Sequence, residues 1–154
     1  MLNTERDEIF TPHGTVRLRP LTPGDTELVH GWLTDPHCAF WGMQQASVND
    51  VAVEYDRLRA SPHEEAWILE LRPYPAAPRR PMGIVEDYDP RRVVLDSVLA
   101  GAASSEAAGV RELTLEEPIR GLHFLVAPPA GAHVSGLTSS LFAAVIRWLI
   151  DCRG

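Results

Sequence analysis

Apolar positions along the chain change period several times, and each change marks an element. Thr15-Val-Arg-Leu-Arg-Pro-Leu21 alternates apolar and basic residues at period two, which predicts a half-buried strand. Thr22-Pro23-Gly24-Asp25 predicts a helix start, with Thr22 as cap and Pro23 at the first helical position. Leu28, Val29, Trp32 and Leu33 then recur at helical spacing until Asp35-Pro36 stops the helix. His37 to Ala46 reads as a loop carrying Phe40, Trp41 and Met43. Ser47, with Asp50 three residues on, predicts a second capped helix. Its apolar positions are Val48, Val51, Ala52, Tyr55 and Leu58, and Ser61-Pro62 ends it.

Ala66 to Arg72 reads as a strand, and the proline-rich stretch Pro73 to Pro81 closes a hairpin onto a strand from Met82 to Tyr88. Ile84, Glu86 and Tyr88 share one face of that strand, Val85 and Asp87 the other. Arg92 to Leu99 is a further apolar, β-branched run, and Ala100 to Gly109 is small and polar, as in an exposed loop. Arg111 to Glu117 reads either as a short strand or as part of that excursion. Gly121 to Ala127 is a short buried strand, followed by a turn on Pro128, Pro129 and Gly131, a glycine-bearing loop, and an apolar helix from Leu137 to Asp151. This order predicts an α/β (α+β) domain with a largely antiparallel sheet over residues 15–154, behind a polar, mobile lead-in over 1–14 with Phe10 tucked against the body.

Composition narrows the classes. A chain of 154 residues with 45% apolar and 23% charged residues is one globular domain. A net charge of −7, with no basic stripe, argues against a nucleic-acid partner. The longest apolar run, Leu141 to Ile150, is broken by Arg147 and is too short to span a bilayer. MLNTERDEIF has no signal-peptide pattern. Cys38 and Cys152 lie far apart without metal spacing, which suits a reduced, cytoplasmic setting and no metal.

Candidate chemistry gathers near the C-terminal end. A strand feeding through a glycine-bearing loop into a helix leaves N–H groups that can receive a phosphate or pyrophosphate. Gly136 would let the backbone approach such a ligand, with Leu137, Thr138, Ser139 and Ser140 opening the helix. Only Gly136 stands where G-x-G-x-x-G wants three glycines, so an ordinary loop into a capped core helix fits the same residues. His123, inside the preceding strand, fits a general base or a structural histidine. Glu86 and Tyr88 are candidates to hold a cationic or amine substrate, or else a solvated face. Trp41, between Phe40 and Met43, fits a pocket wall or a core aromatic.

Taken together, these residues resemble the GCN5-related N-acetyltransferase (GNAT) superfamily, in its siderophore-biosynthesis branch of aerobactin- and mycobactin-pathway lysine or N-hydroxylysine acyltransferases. The resemblance rests on Arg19-Pro20-Leu21 followed by His30-Gly-Trp32, Asp35-Pro36 and Phe40-Trp41, on Gly83-Ile-Val-Glu86-Asp-Tyr88, and on Gly121-Leu-His123 followed by Gly136-Leu-Thr138. It covers about Val16 to Asp151 and lacks the family's C-terminal strands. It implies acetyl-CoA or another acyl-CoA as co-substrate, its pantetheine along the backbone near Leu125 and Val126 and its pyrophosphate at Gly136 to Ser140. It implies His123 as the catalytic residue and Trp41, Glu86 and Tyr88 around a lysine or N-hydroxylysine amine. The competing reading is a truncated, non-catalytic module that binds or pairs with another chain, a homo-oligomer through an open sheet edge being one form.

Overall fold

The computed structural model describes residues 8–92 and 119–153. Five antiparallel strands follow one another across a single sheet: β1 (Ile9–Thr11), β2 (Gly14–Pro20), β3 (Glu64–Arg72), β4 (Arg80–Tyr88) and β5 (Gly121–Val126). Two helices, α1 (Thr26–Leu33) and α2 (Val48–Ala60), connect β2 to β3, and α3 (Leu137–Arg153) follows β5. The expected mixed, antiparallel architecture is present. The segments predicted over 93–99, 100–109 and 111–117, and residues 1–7 of the lead-in, lie outside the described residues.

Alternation along the strands divides the core between two faces. Ile68, Ile84 and Leu125 point to one side and pack under Val29 and Leu33 of α1 and Val51, Tyr55 and Leu58 of α2. Val16, Leu18, Leu69, Leu71 and Val85 point to the other and pack against Leu141, Ala144, Val145 and Trp148 of α3. The sheet is thus the middle of three layers. Between Leu69 and Glu70 the β3–β4 register slips, since their partners are Gly83 and Pro81. Met82 is the extra residue of this bulge, which bends β4 just before the site described below.

Residues 9–11, expected in the lead-in, pair with β2 instead, Ile9 opposite Val16 and Thr11 opposite Gly14. Phe10 points outward and is 81% exposed, not tucked against the body. The turn is possible because Gly14 adopts φ 128°, where any β-carbon would stand 2.3 Å from the Arg72 carbonyl oxygen. Arg72 also donates two hydrogen bonds to Glu8, at 2.9 and 3.0 Å, and so pins the start of β1.

Asp25, more than Thr22, organises the entry to α1. Its carboxylate accepts from the Thr22 N–H at 2.9 Å and the Thr22 hydroxyl at 2.8 Å. It also takes a two-pronged bond from Arg19, at 2.7 and 2.8 Å. These contacts, Arg19 first, hold its pKa down at about 2. A depressed carboxylate pKa stabilises the fold above the unfolded value and ceases to do so as pH falls through the folded one. Asp25→Asn is therefore expected to cost about 1 kcal/mol at neutral pH, after discounting for solvent screening. The variant should also lose less stability than the parent between about pH 4 and pH 2. Urea titrations across that range check both statements.

Among the described residues, no helix is long and apolar enough to cross a membrane.

Candidate active site

The site grows from the register of β4 against β5, which sets Glu86 opposite His123, Tyr88 opposite Gly121 and Ile84 opposite Leu125. All these side chains share the α2 face. Ile84 and Leu125 close the core there. Beyond them the sheet opens into a cleft of about 800 Å³. Phe40, Trp41 and Met43 wall one side, Asp50, Val53 and Glu54 of α2 another, and Glu86, Leu122, His123 and Phe124 form the floor. The aromatic wall is a 3₁₀ segment, Pro36–Trp41, started by the Asp35 side chain accepting from the His37 N–H.

His123 lies at the centre. Its Nδ1 is 3.1 Å from Oε2 of Glu86, and its Nε2 is 3.4 Å from the Tyr88 hydroxyl. Trp41 meets the imidazole edge-on with ring centroids 5.9 Å apart, and the Tyr88 ring lies 4.9 Å away. Gly121 makes room for this grouping, because a β-carbon there would stand 2.2 Å from the Tyr88 ring. The second oxygen of Glu86 accepts from the hydroxyl of Tyr55, at 3.1 Å, out of the buried face of α2. Burial pushes the Glu86 pKa up, against the hydrogen bonds from His123 and Tyr55 that favour its charge. Burial, then the Glu86 charge, drives the Tyr55 phenol well above its ordinary range. Two further carboxylates reach the cleft already engaged: Asp50 accepts from the Ser47 hydroxyl at 2.7 Å, and Glu54 accepts from Arg57 at 2.7 Å.

The backbone of β5 offers a second feature. The Ala127 N–H bonds the Met82 carbonyl at 2.8 Å. With the observed register, Ile84–Leu125 and Glu86–His123 are then the hydrogen-bonded pairs. The amides of Leu122, Phe124 and Val126 turn to the other side, where no strand pairs with β5 among the described residues. Of the two backbone positions expected to meet a ligand, Val126 therefore faces the open edge. Leu125 gives its amide to β4 and its side chain to the core, with no exposure.

The loop into α3 matches the sequence expectation. Gly136 adopts φ 74°, a left-handed conformation that favours glycine. Leu137 is half-buried, and Thr138 and Ser139 are exposed in the first turn. The Thr138 and Ser139 N–H groups have no acceptor among the described residues, whereas the Leu137 N–H bonds the Val134 carbonyl at 3.3 Å and the Ser140 N–H the Gly136 carbonyl at 3.0 Å. The Ser140 hydroxyl is 3.1 Å from Nδ1 of His13, whose Nε2 is 3.1 Å from the Ser135 carbonyl oxygen. The β1–β2 turn thus clamps this loop.

Of the residues singled out from the sequence, His123, Glu86, Tyr88 and Trp41 converge in one cleft. Glu86 spends both oxygens on protein partners, so it acts on the imidazole more directly than on an incoming amine. Tyr55 and His13 were missed. A buried tyrosine on an apolar helix face needs a partner for its hydroxyl, and that was the available signal for Tyr55. Nothing local marks His13.

Residues 22–153 match the family profile described as the acetyltransferase (GNAT) domain. The chain belongs to the GNAT acetyltransferase family. Among solved structures, the GNAT domain resembles an uncharacterized protein from Bacillus halodurans, with a TM-score of 0.64 and 16% identity over 94% of this chain and 66% of that one. It also resembles the aminoglycoside acetyltransferase AAC(6')-Ib in complex with coenzyme A, with a TM-score of 0.60 and 24% identity over 90% of this chain and 69% of that one. The same enzyme in complex with coenzyme A and kanamycin gives a TM-score of 0.59. This GNAT chain therefore spans about two thirds of the length of the chains it matches. No curated protein matches it in sequence. None of these matches singles out the siderophore branch.

Proposed function

We propose that this GNAT domain transfers an acyl group, acetyl in the first instance, from an acyl-CoA to a small primary amine or hydroxylamine. The observation that carries the reading is the placement of His123, backed by Glu86, in an acidic and aromatic cleft beside the β5 edge that pairs with no strand among the described residues. The pantetheine would pair with the edge at Val126 and Phe124, and the pyrophosphate would meet the first turn of α3 at Gly136, Leu137, Thr138, Ser139 and Ser140. The amine nitrogen attacks the thioester carbonyl, its proton passes to His123, and the carbon–sulfur bond breaks to release the CoA thiolate. An edge N–H would receive the developing oxyanion. Trp41 and Tyr88 would flank the amine, and proximity of two bound substrates supplies much of the rate.

Lysine or N-hydroxylysine, the substrate of siderophore assembly, is the finer reading; its support is the sequence resemblance. An aminoglycoside amine is the alternative that the AAC(6')-Ib likeness raises. Calorimetry with acetyl-CoA, followed by thiol-release assays on lysine, N-hydroxylysine and kanamycin in parallel, tests the proposal. Micromolar binding and thiol release with at least one amine are expected. No acetyl-CoA binding at millimolar concentration would overturn it.

A non-catalytic module pairing with another chain is the second reading, favoured by the β5 edge that no strand covers among the described residues and by the exposed Phe142, Ile146 and Ile150 on α3. It requires a dimer in light scattering that acetyl-CoA does not dissociate.

The His13 clamp adds a residue-level expectation. His13→Ala should weaken CoA binding about 3- to 10-fold, the equivalent of losing about one hydrogen bond's organisation of the loop. Binding of pantetheine, which lacks the diphosphate, should not change. Equal weakening of both ligands would show that the clamp serves general stability.

A further inference from the structure

We propose that Glu86 and Tyr55 are positioning residues that hold His123 as its Nδ1–H tautomer, making Nε2 the nitrogen that takes the substrate proton. The catalytic consequence rests on the acyl-transfer reading; the tautomer does not.

An ionised carboxylate only accepts hydrogen bonds, so the 3.1 Å contact between Glu86 Oε2 and Nδ1 places the ring hydrogen on Nδ1. In the neutral ring Nε2 is then the acceptor. Nε2 lies 3.4 Å from the Tyr88 hydroxyl, a long contact that an incoming amine can replace. The imidazole itself is 57% exposed and borders the cleft.

The orienting carboxylate is held in turn. Its side chain is only 14% exposed. Its other oxygen accepts from Tyr55, a residue 1% exposed and packed in the core beneath α2. That hydroxyl can neither leave nor find water, so it fixes the carboxylate plane from the side opposite the imidazole. It also matters for charge. Burial alone pushes Glu86 toward its neutral form, and a protonated carboxyl could donate to Nδ1 and reverse the tautomer; the Tyr55 bond opposes this. The other ionisable groups around the pair are Asp50 and Glu54 on α2, Glu64 on β3 and Tyr88 on β4, with Arg57 bound to both Glu54 and Glu64. Carboxylates therefore outnumber cations around the pair.

Two measurements test the assignment. Long-range nitrogen–proton NMR of the full chain at about pH 8 should show His123 protonated at Nδ1 and bare at Nε2. Glu86→Gln and Tyr55→Phe should mix or reverse that pattern. In turnover, Glu86→Gln should lower kcat about 10- to 100-fold and Tyr55→Phe about 3- to 10-fold, with KM for acyl-CoA within about twofold. A native ring protonated at Nε2 overturns the proposal. So do variants that lose thermal stability while keeping the parent's kcat and tautomer. Complete absence of turnover in the native chain would overturn the acyl-transfer reading instead, and the NMR assignment would still decide this one.

Discussion

Replacing His123 by alanine is expected to lower kcat/KM for amine acylation about 10²- to 10³-fold, the range for loss of a positioned base. Acetyl-CoA affinity should stay within about twofold. The proposed anchors for that ligand are main-chain groups of β5 and the first turn of α3, and none of them needs the imidazole. The His123 side chain instead looks across the cleft to Glu86, Tyr88 and Trp41. The size of the loss should depend on the nucleophile. An ammonium must shed a proton before it attacks, whereas a hydroxylamine is already neutral near pH 7 and asks less of the base. Steady-state kinetics with lysine and N-hydroxylysine, beside calorimetry for acetyl-CoA, read the three quantities separately. Turnover of the variant at the parental rate on both amines would end the catalytic assignment.

Gly83→Ala is expected to destabilise the fold by about 3 kcal/mol or more, at or beyond the upper end of ordinary overpacking. A β-carbon at this position would stand 2.1 Å from the Leu125 carbonyl oxygen and 3.2 Å from its carbonyl carbon. Both are backbone atoms of the neighbouring strand, so no side chain can swing aside. Relief requires β4 and β5 to part at the Ile84–Leu125 pair, and both of those side chains are fully buried. Parting the strands there would also disturb the Glu86–His123 pair next along the same ladder. Gly131→Ala is the control, since nothing lies within 4 Å of its β-carbon position, and should change stability by less than about 0.5 kcal/mol. Urea denaturation of the three proteins decides the matter. A Gly83→Ala midpoint equal to the parent's would mean that the β4–β5 spacing is not as tight as described.

The elements that were legible in the sequence carry strong local signals. The period-two run before Leu21 is β2, and the strand expected from Gly121 to Ala127 is β5, one residue shorter at its end. Ser47 and Asp50 cap α2 reciprocally, at 2.8 and 3.1 Å, because a hydroxyl and a carboxylate three residues apart meet within one turn. β1 was not legible: three residues cannot establish a period, and what holds them in place is the Gly14 turn and the Arg72–Glu8 pair. At the α1 entry the pattern named Thr22 as the cap, and Thr22 does cap the 3₁₀ turn that leads into α1; what it did not show is that Asp25 ties this turn to an arginine on the preceding strand.

The site divides in the same way. The sequence alone determined which residues could do chemistry and on which faces they stand: His123 in a buried strand, Glu86 and Tyr88 alternating with Val85 and Asp87, a glycine in the loop before an apolar helix. It did so because hydrophobic period and turn chemistry are properties of a few consecutive residues. Only the tertiary structure decided that Glu86 faces His123, that Tyr55 holds Glu86 from behind, and that His13 grips Ser140 from the far end of the chain. Those meetings depend on strand register and on which helix packs over which strand, and both are settled by contacts between residues far apart in sequence.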